Sequence, residues 1–317
     1  MNRFQRFILS FGIAVILTCF LISLPSYSST TSTNKMTVSD FKSGVEKMVT
    51  GNYQGAIPDL TQAIANNSDV GAAYSNRCLA YLQIQDYQNA IAQRSGETPI
   101  ADCNQALKKA PNNAEAYLNR GLAYYRQGDY SSAIADYNQA LSLKVYDFRA
   151  YYNRGLANAM LGNYQQAIAD YNLALSQISQ DPLLLADIYN DRGLAHFDLH
   201  NFQAGMLDFS KAIRLNPKDY RAYFNRGCAC GKHGDNFGAI DNFSQVIRLN
   251  PSNGQAYFNR GVAYHQLGYE QAAIADLQQA AQHFEHQGQK PASEKTLDLI
   301  KIVQQEIPSH VETALAF

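Results

Sequence analysis

The polar side chains of this chain that could do chemistry recur in register. The triplet Asn-Arg-Gly stands at Asn119–Gly121, Asn153–Gly155, Asn225–Gly227 and Asn259–Gly261. Its carboxamide can donate to a carbonyl and accept from an N–H at once, which suits a peptide backbone, and its guanidinium suits a carboxylate or a phosphate. Two histidine pairs, His196 with His200 and His283 with His286, have spacings that put both imidazoles of a pair on one helical face, as a metal would require. No third ligand recurs near either pair, so they read as exposed or core-edge histidines. The cysteines beyond the N-terminal region, Cys78, Cys103, Cys228 and Cys230, lack zinc-site spacing. A nucleophile motif, a glycine-rich phosphate loop and the His-Glu-x-x-His signature are missing from the sequence. The expectation is a protein that is not an enzyme and uses no cofactor and no metal.

The elements that carry these residues follow from their spacing. Aligning the triplets gives a period of 34 residues, the length at which one helix-turn-helix unit stacks on the next and buries a face it cannot bury alone. Units then begin at Thr37, Gly71, Ala114, Phe148, Ala186, Tyr220 and Gly254, each counted as position one. The fourth residue is Tyr74, Tyr117, Tyr151, Tyr189, Tyr223 or Tyr257, and the eighth is Gly in every unit but the second, where it is Cys78. On one helix these share a face, and the small eighth residue admits a second helix closely. That second helix carries small residues, such as Ala133 and Ala140, around an aromatic one: Tyr137, Tyr171, Phe209 or Phe243. Gly51, Gly128 and Gly162, each followed by Asp or Asn, supply a helix C-terminus and the next N-cap, and Pro111, Pro217 and Pro251 end second helices.

These residues resemble the tetratricopeptide repeat family, whose large-small-aromatic pattern and terminal Pro they reproduce, with Tyr replacing Trp at the fourth position. The resemblance covers Thr37 to Gln287. It implies an all-α fold, a right-handed superhelical solenoid of seven tandem helix-turn-helix units at 37–70, 71–113, 114–147, 148–185, 186–219, 220–253 and 254–287. Residues 288–317 form the capping helix and tail, with Leu297, Ile300, Val303 and Ile307 at helical spacing as the expected packing face. Three departures stand out. The second unit carries an insertion, 93–101, which reads as a surface bulge or as a loop that contacts a partner. Extra residues near Gln180 to Leu184 should lengthen a helix or loop, and Tyr269 sits one place early, so packing there should differ.

The seventh residue of each unit after the first is Arg: Arg77, Arg120, Arg154, Arg192, Arg226 and Arg260. Sixteen positions later stand Asp136, Asp170, Asp208 and Asp276, with Asp102 matching Arg77 once the insertion is skipped and Asn242 breaking the rule. A bidentate pair in each unit is expected, since the Asp supplies the counter-charge that an acidic ligand would otherwise supply. The sixth residue is Asn76, Asn119, Asn153, Asn225 or Asn259, with Asp191 in the fifth unit. It lies about 160° to 200° around the helix from the fourth and eighth residues, sharing a face with the second, ninth and thirteenth. In the tetratricopeptide fold that face is concave. The row resembles the asparagine ladder in the superhelical repeats of the O-linked N-acetylglucosamine transferase, which grips the backbone of an extended peptide. These five asparagines are the candidate partner-binding residues; the alternative use of their amides is to satisfy groups on neighbouring helices. Beside them runs an apolar ninth position, Leu79, Leu122, Leu156, Leu194, Cys228 and Val262, suited to an extended or helical segment with hydrophobic side chains. The Lys and Asn of the clamp used by chaperone-tail-binding members are absent, so capture of a C-terminal carboxylate is not expected.

Charged residues make up 17% of the chain, and 26 Lys and Arg nearly cancel 27 Asp and Glu, so no basic tract exists to attract nucleic acid. The expected partner is a protein or peptide. Residues 1–29, where Arg3 and Arg6 precede the apolar run Phe7 to Leu24, read as a signal peptide or an N-terminal membrane anchor through residues 7–24, followed by a flexible linker at 30–36. Either way the repeats are expected outside the cytoplasm: periplasmic, lumenal or membrane-anchored. Such a compartment permits a Cys78–Cys103 disulfide, but each position takes small or mid-sized apolar residues in other units, so two thiols in the core of one unit are the expected state. The reading is a non-enzymatic protein–protein interaction scaffold. Its alternative is a membrane-associated assembly factor acting through the convex surface or the N-terminal anchor, for example in photosystem or cell-envelope complexes.

Overall fold

The structure, a computed structural model, describes residues 35–84, 99–178 and 181–306, with the side chains of 35–39 left out. The signal or anchor segment, most of the linker, the insertion up to residue 98 and Ile307 lie outside the described residues. Those residues form fifteen helices and no strand, in two compact units divided between Ser179 and Gln180. The first unit holds α1 (Lys35–Val49), α2 (Tyr53–Ala65), α3 (Val70–Gln83), α4 (Pro99–Lys109), α5 (Ala114–Gln127), α6 (Tyr130–Leu143), α7 (Phe148–Met160) and α8 (Tyr164–Gln177). The second holds α9 (Pro182–Asp198), α10 (Phe202–Leu215), α11 (Tyr220–His233), α12 (Asn236–Leu249), α13 (Gly254–Gln266), α14 (Glu270–His286) and α15 (Lys290–Glu306). Within each unit consecutive helices pack as hairpins, and each hairpin packs on the next.

Short polar residues start these helices. Asp129 Oδ1 accepts from the Ser132 amide at 3.1 Å and Asp235 Oδ1 from Gly238 at 2.8 Å, satisfying N–H groups that have no partner inside the helix. Gly128 ends α5 with φ +83°, a conformation that closes the turn and that a side chain would strain. His200 takes the same turn position after α9 with φ +61° and bears that strain, its ring set edge-on against Phe202.

Between the helices of a hairpin, glycine meets an aromatic ring. A Cβ added to Gly155 would stand 2.7 Å from Tyr171, and one on Gly193 2.6 Å from Phe209; Tyr171 and Phe209 are buried. Gly121 with Tyr137 and Gly227 with Phe243 repeat the contact. In the α3–α4 hairpin the same two positions are Cys78 and Cys103, joined as a disulfide with Cα atoms 5.6 Å apart. This corrects the expectation of two thiols: a covalent bond fills the place that a ring fills in four other hairpins.

The departures resolve locally. Pro99 to Ala101, the end of the insertion, form the first turn of α4. The extra residues before α9 become helix, since α9 has 17 residues against 13 in α7 and starts at Pro182 behind an Asp181 cap. Tyr269 occupies the N-cap place of α14 without a capping bond. Glu270 therefore replaces the ring that pairs with the preceding helix in other hairpins, where Tyr125–Tyr130 and Phe197–Phe202 centroids are 5.4 and 5.3 Å apart; its carboxylate meets His265 Nδ1 at 2.7 Å instead. The last helix corrects one expectation: Leu297 is 46% exposed, and α15 buries Ser293, Thr296, Ile300 and Val303. Small residues let it approach closely, Ser293 Oγ donating to the Ala281 carbonyl of α14 at 3.2 Å.

Two outcomes follow. Gly155→Ala should lower stability by about 1–3 kcal/mol through overpacking against Tyr171; an unchanged urea midpoint would mean that the ring can yield. Replacing Cys78 and Cys103 together by Ala should cost about 3 kcal/mol, the worth of closing a loop of this order, seen as an earlier urea transition that reductant no longer shifts.

Candidate partner-binding face

The arginines of the seventh position settle into the seam between helices. Nε and Nη2 of Arg77 reach Asp102 at 2.8 Å each, those of Arg120 reach Asp136 at 2.7 Å each, and Arg154, Arg192 and Arg260 repeat the fork with Asp170, Asp208 and Asp276. Each guanidinium also lies over the tyrosine three residues before it, 5.3 Å from the ring centroid for Arg192 over Tyr189. In the α1–α2 hairpin Lys47 and Ser43 hold Asp59, both at 2.6 Å. Arg226 has Asn242 Oδ1 at 2.7 Å in place of a carboxylate. The remaining nitrogen, Nη1, crosses to the preceding hairpin: from Arg77 to Thr61, Arg120 to Asn104, Arg154 to Asn138, Arg226 to Ser210 and Arg260 to Ser244, at 2.6 to 3.1 Å.

The asparagine row divides. In the first unit Asn119 is buried and its Nδ2 donates to the carbonyl and the hydroxyl of Ser75, both at 3.2 Å. Asn76 is half-buried. Asn153 is 7% exposed, and among the described residues its side chain makes no hydrogen bond. In the second unit Asn225 Nδ2 donates to Asn190 Oδ1 at 2.9 Å, and Asn259 accepts from Gln255 Nε2 at 2.9 Å with Nδ2 3.7 Å from Cys228 Sγ. Leu122, Leu156, Leu194 and Val262 of the ninth position are half-buried.

A network at the second position escaped the sequence reading. In the first unit Arg149 Nη2 lies 2.5 Å from Glu115 Oε1 and 2.7 Å from Asp147 Oδ2, and Lys144 Nζ lies 3.1 Å from Asp147 and 3.7 Å from Glu115. In the second unit Arg221 Nη2 bridges Asp187 and Asp219 at 2.8 Å each. Asp147 and Asp219 also cap α7 and α11, accepting from the Arg149 and Arg221 amides. Burial alone would raise the Asp147 carboxyl, but Arg149 and Lys144 outweigh it and hold the group below the ordinary carboxylate range.

Burial pushes the Cys228 thiol up to about 12 and Cys230 to about 11, so neither is a thiolate at neutral pH. His196 is lowered, chiefly by burial, and lies on α9 while His200 lies in the turn beyond it. His283 stacks on Tyr257 with centroids 5.3 Å apart.

Tetratricopeptide repeat models match residues 41–94, 148–181 and 186–219, and a TPR repeat model matches 100–128, 121–162 and 229–268. The chain belongs to the tetratricopeptide repeat family. No curated protein matches it in sequence. Among solved structures it is similar to YrrB, described as a tetratricopeptide repeat protein with an unusual peptide-binding site, at 22% identity and TM-score 0.53 over 63% of this chain and 97% of that one. A tetratricopeptide repeat protein from Parabacteroides merdae gives 19% identity and TM-score 0.55 over 84% and 98% of the two chains. Pseudomonas aeruginosa PilF gives 18% and 0.56 over 69% and 97%. At these identities the likeness is one of tetratricopeptide fold.

The Asp147 charge is directly testable. Asp147→Asn keeps a capping oxygen and should cost about 1–2 kcal/mol at pH 7. A carboxyl held low in the folded state stabilises above its unfolded value, about pH 4, and that gain is lost as the pH falls further. The difference between variant and parent in urea titrations should therefore vanish in acid, and a pH-independent difference would assign the loss to packing.

Proposed function

We propose that this protein is a non-enzymatic scaffold that holds an extended or helical segment of a partner protein against the concave face of its first helices. Asn153 carries the reading. Its carboxamide is largely enclosed yet bonds nothing among the described residues, while Asn119 spends its donor on Ser75. Donor and acceptor are thus left for a partner's backbone, with Leu122 and Leu156 beside them for its apolar side chains. Asn76 and Asn119 belong to the same proposed contact set in the first unit, and Asn225 and Asn259 form the matching set of the second. The peptide-binding site described for YrrB supports a ligand of this class. The Cys78–Cys103 bond and the apolar run 7–24 behind Arg3 and Arg6 support a place outside the cytoplasm, periplasmic, lumenal or anchored in a membrane. A second reading, an assembly factor acting through its other surfaces or its N-terminal anchor, is favoured by Val145 and Tyr146, 55% and 82% exposed where three other repeats carry Pro and a polar residue.

A photo-crosslinking residue separates the two. Placed at Leu122 it should give one discrete adduct in native cells, lost on Asn153→Ala; adducts from Tyr146 alone would overturn the groove. Asn153→Ala should leave the urea midpoint unchanged, whereas Asn119→Ala should lower stability by about 1 kcal/mol.

A further inference from the structure

The second-position network occurs twice, and the copies differ by one cation. Glu115, Asp147 and Arg149 of the first unit correspond by repeat position to Asp187, Asp219 and Arg221 of the second, with the same bridging contacts. In the first copy an ammonium completes the set, Lys144 sitting 3.1 Å from Asp147 and 3.7 Å from Glu115. The equivalent of Lys144 in the second copy is Asn216. There, two carboxylates face a single guanidinium, and Asp181, the cap of α9, adds its negative field to Asp187. Burial raises the Asp187 carboxyl first, and Asp219 and Asp181 add to it against Arg221. Asp187 remains 23% and Asp219 10% exposed, so the pair is open to a long side chain. Lys218, next to Asp219, is exposed and makes no ion pair among the described residues.

We propose that Asp187 and Asp219 receive a lysine or arginine side chain of the bound partner segment, in the place that Lys144 fills within the first unit. The inference rests on the concave-face reading as it applies to the second unit, and adds to it a requirement for a basic residue opposite α9 and α11. An acidic cluster alone would not mark a site. Here the equivalent carboxylates hold an ammonium elsewhere in the same chain, and that identifies the ligand class.

The test uses the full chain and acetyl-tetralysine-amide as the probe, with its fully Nζ-acetylated form as the control, followed by calorimetry at low salt. The parent should bind tetralysine at one site and the acetylated peptide not at all. Asn216→Lys should weaken binding at least about fivefold, the effect of one partly buried ion pair. Lys144→Asn should open a second site in the first unit, and the double variant should move the single site from one unit to the other. Lys218→Ala should leave affinity unchanged or raise it. Unchanged affinity in Asn216→Lys, or no new site in Lys144→Asn, with helical content retained by circular dichroism, would overturn the proposal. Crosslinking from Leu122 could still succeed in that event, so the two readings fail separately.

Discussion

A guanidinium offers five N–H donors in one plane, enough to serve two neighbours at once if both lie at its edge. The seventh-position arginines use that capacity. Nε and Nη2 close on the Asp of their own hairpin, and Nη1 reaches a Thr, Asn or Ser of the hairpin before. One side chain thereby sets the spacing within a repeat and the registry between repeats. Asp102 and Asp136 are almost fully enclosed, so their partners cannot be removed without stranding a buried carboxylate. The glycine–ring contact depends on this arrangement, because a ring can fill the space above a glycine only where the two helices are already held at the right distance.

Much of this was legible from residue types. Gly at the eighth position and Arg paired with Asp sixteen residues later are repeated with little variation, and a ring stands at the twenty-fourth in four consecutive repeats, so period and packing could be read together. The Nη1 acceptor was hidden because Thr61, Asn104, Asn138, Ser210 and Ser244 share a hydroxyl or amide oxygen but no residue type. The second-position network was hidden for another reason: Glu115, Arg149, Asp187 and Arg221 alternate in sign, so the pattern repeats every two units and is erased when single units are aligned.

Helical rotation placed the asparagines away from their own hairpin's core, but a single helix says nothing of the hairpin stacked against it. Ser75 and Asn190 occupy part of the face that rotation alone leaves open, and they engage Asn119 and Asn225. The same blindness displaced Leu297, since spacing on α15 fits several faces and only the small surface of α14 selects the one with Ser293 and Thr296. Neither sulfur chemistry nor its absence could be read from Cys78 and Cys103, because core positions accept both.

In an array where each hairpin touches only its neighbours, continuity normally rests on the peptide chain alone. The Cys78–Cys103 bond, 25 residues apart in sequence, makes an exception. A protease that cut the backbone anywhere between residues 84 and 99 would sever the polypeptide without releasing either half. The two fragments would migrate as one species until a thiol was added, so the intactness of this stretch cannot be judged from gel mobility under non-reducing conditions.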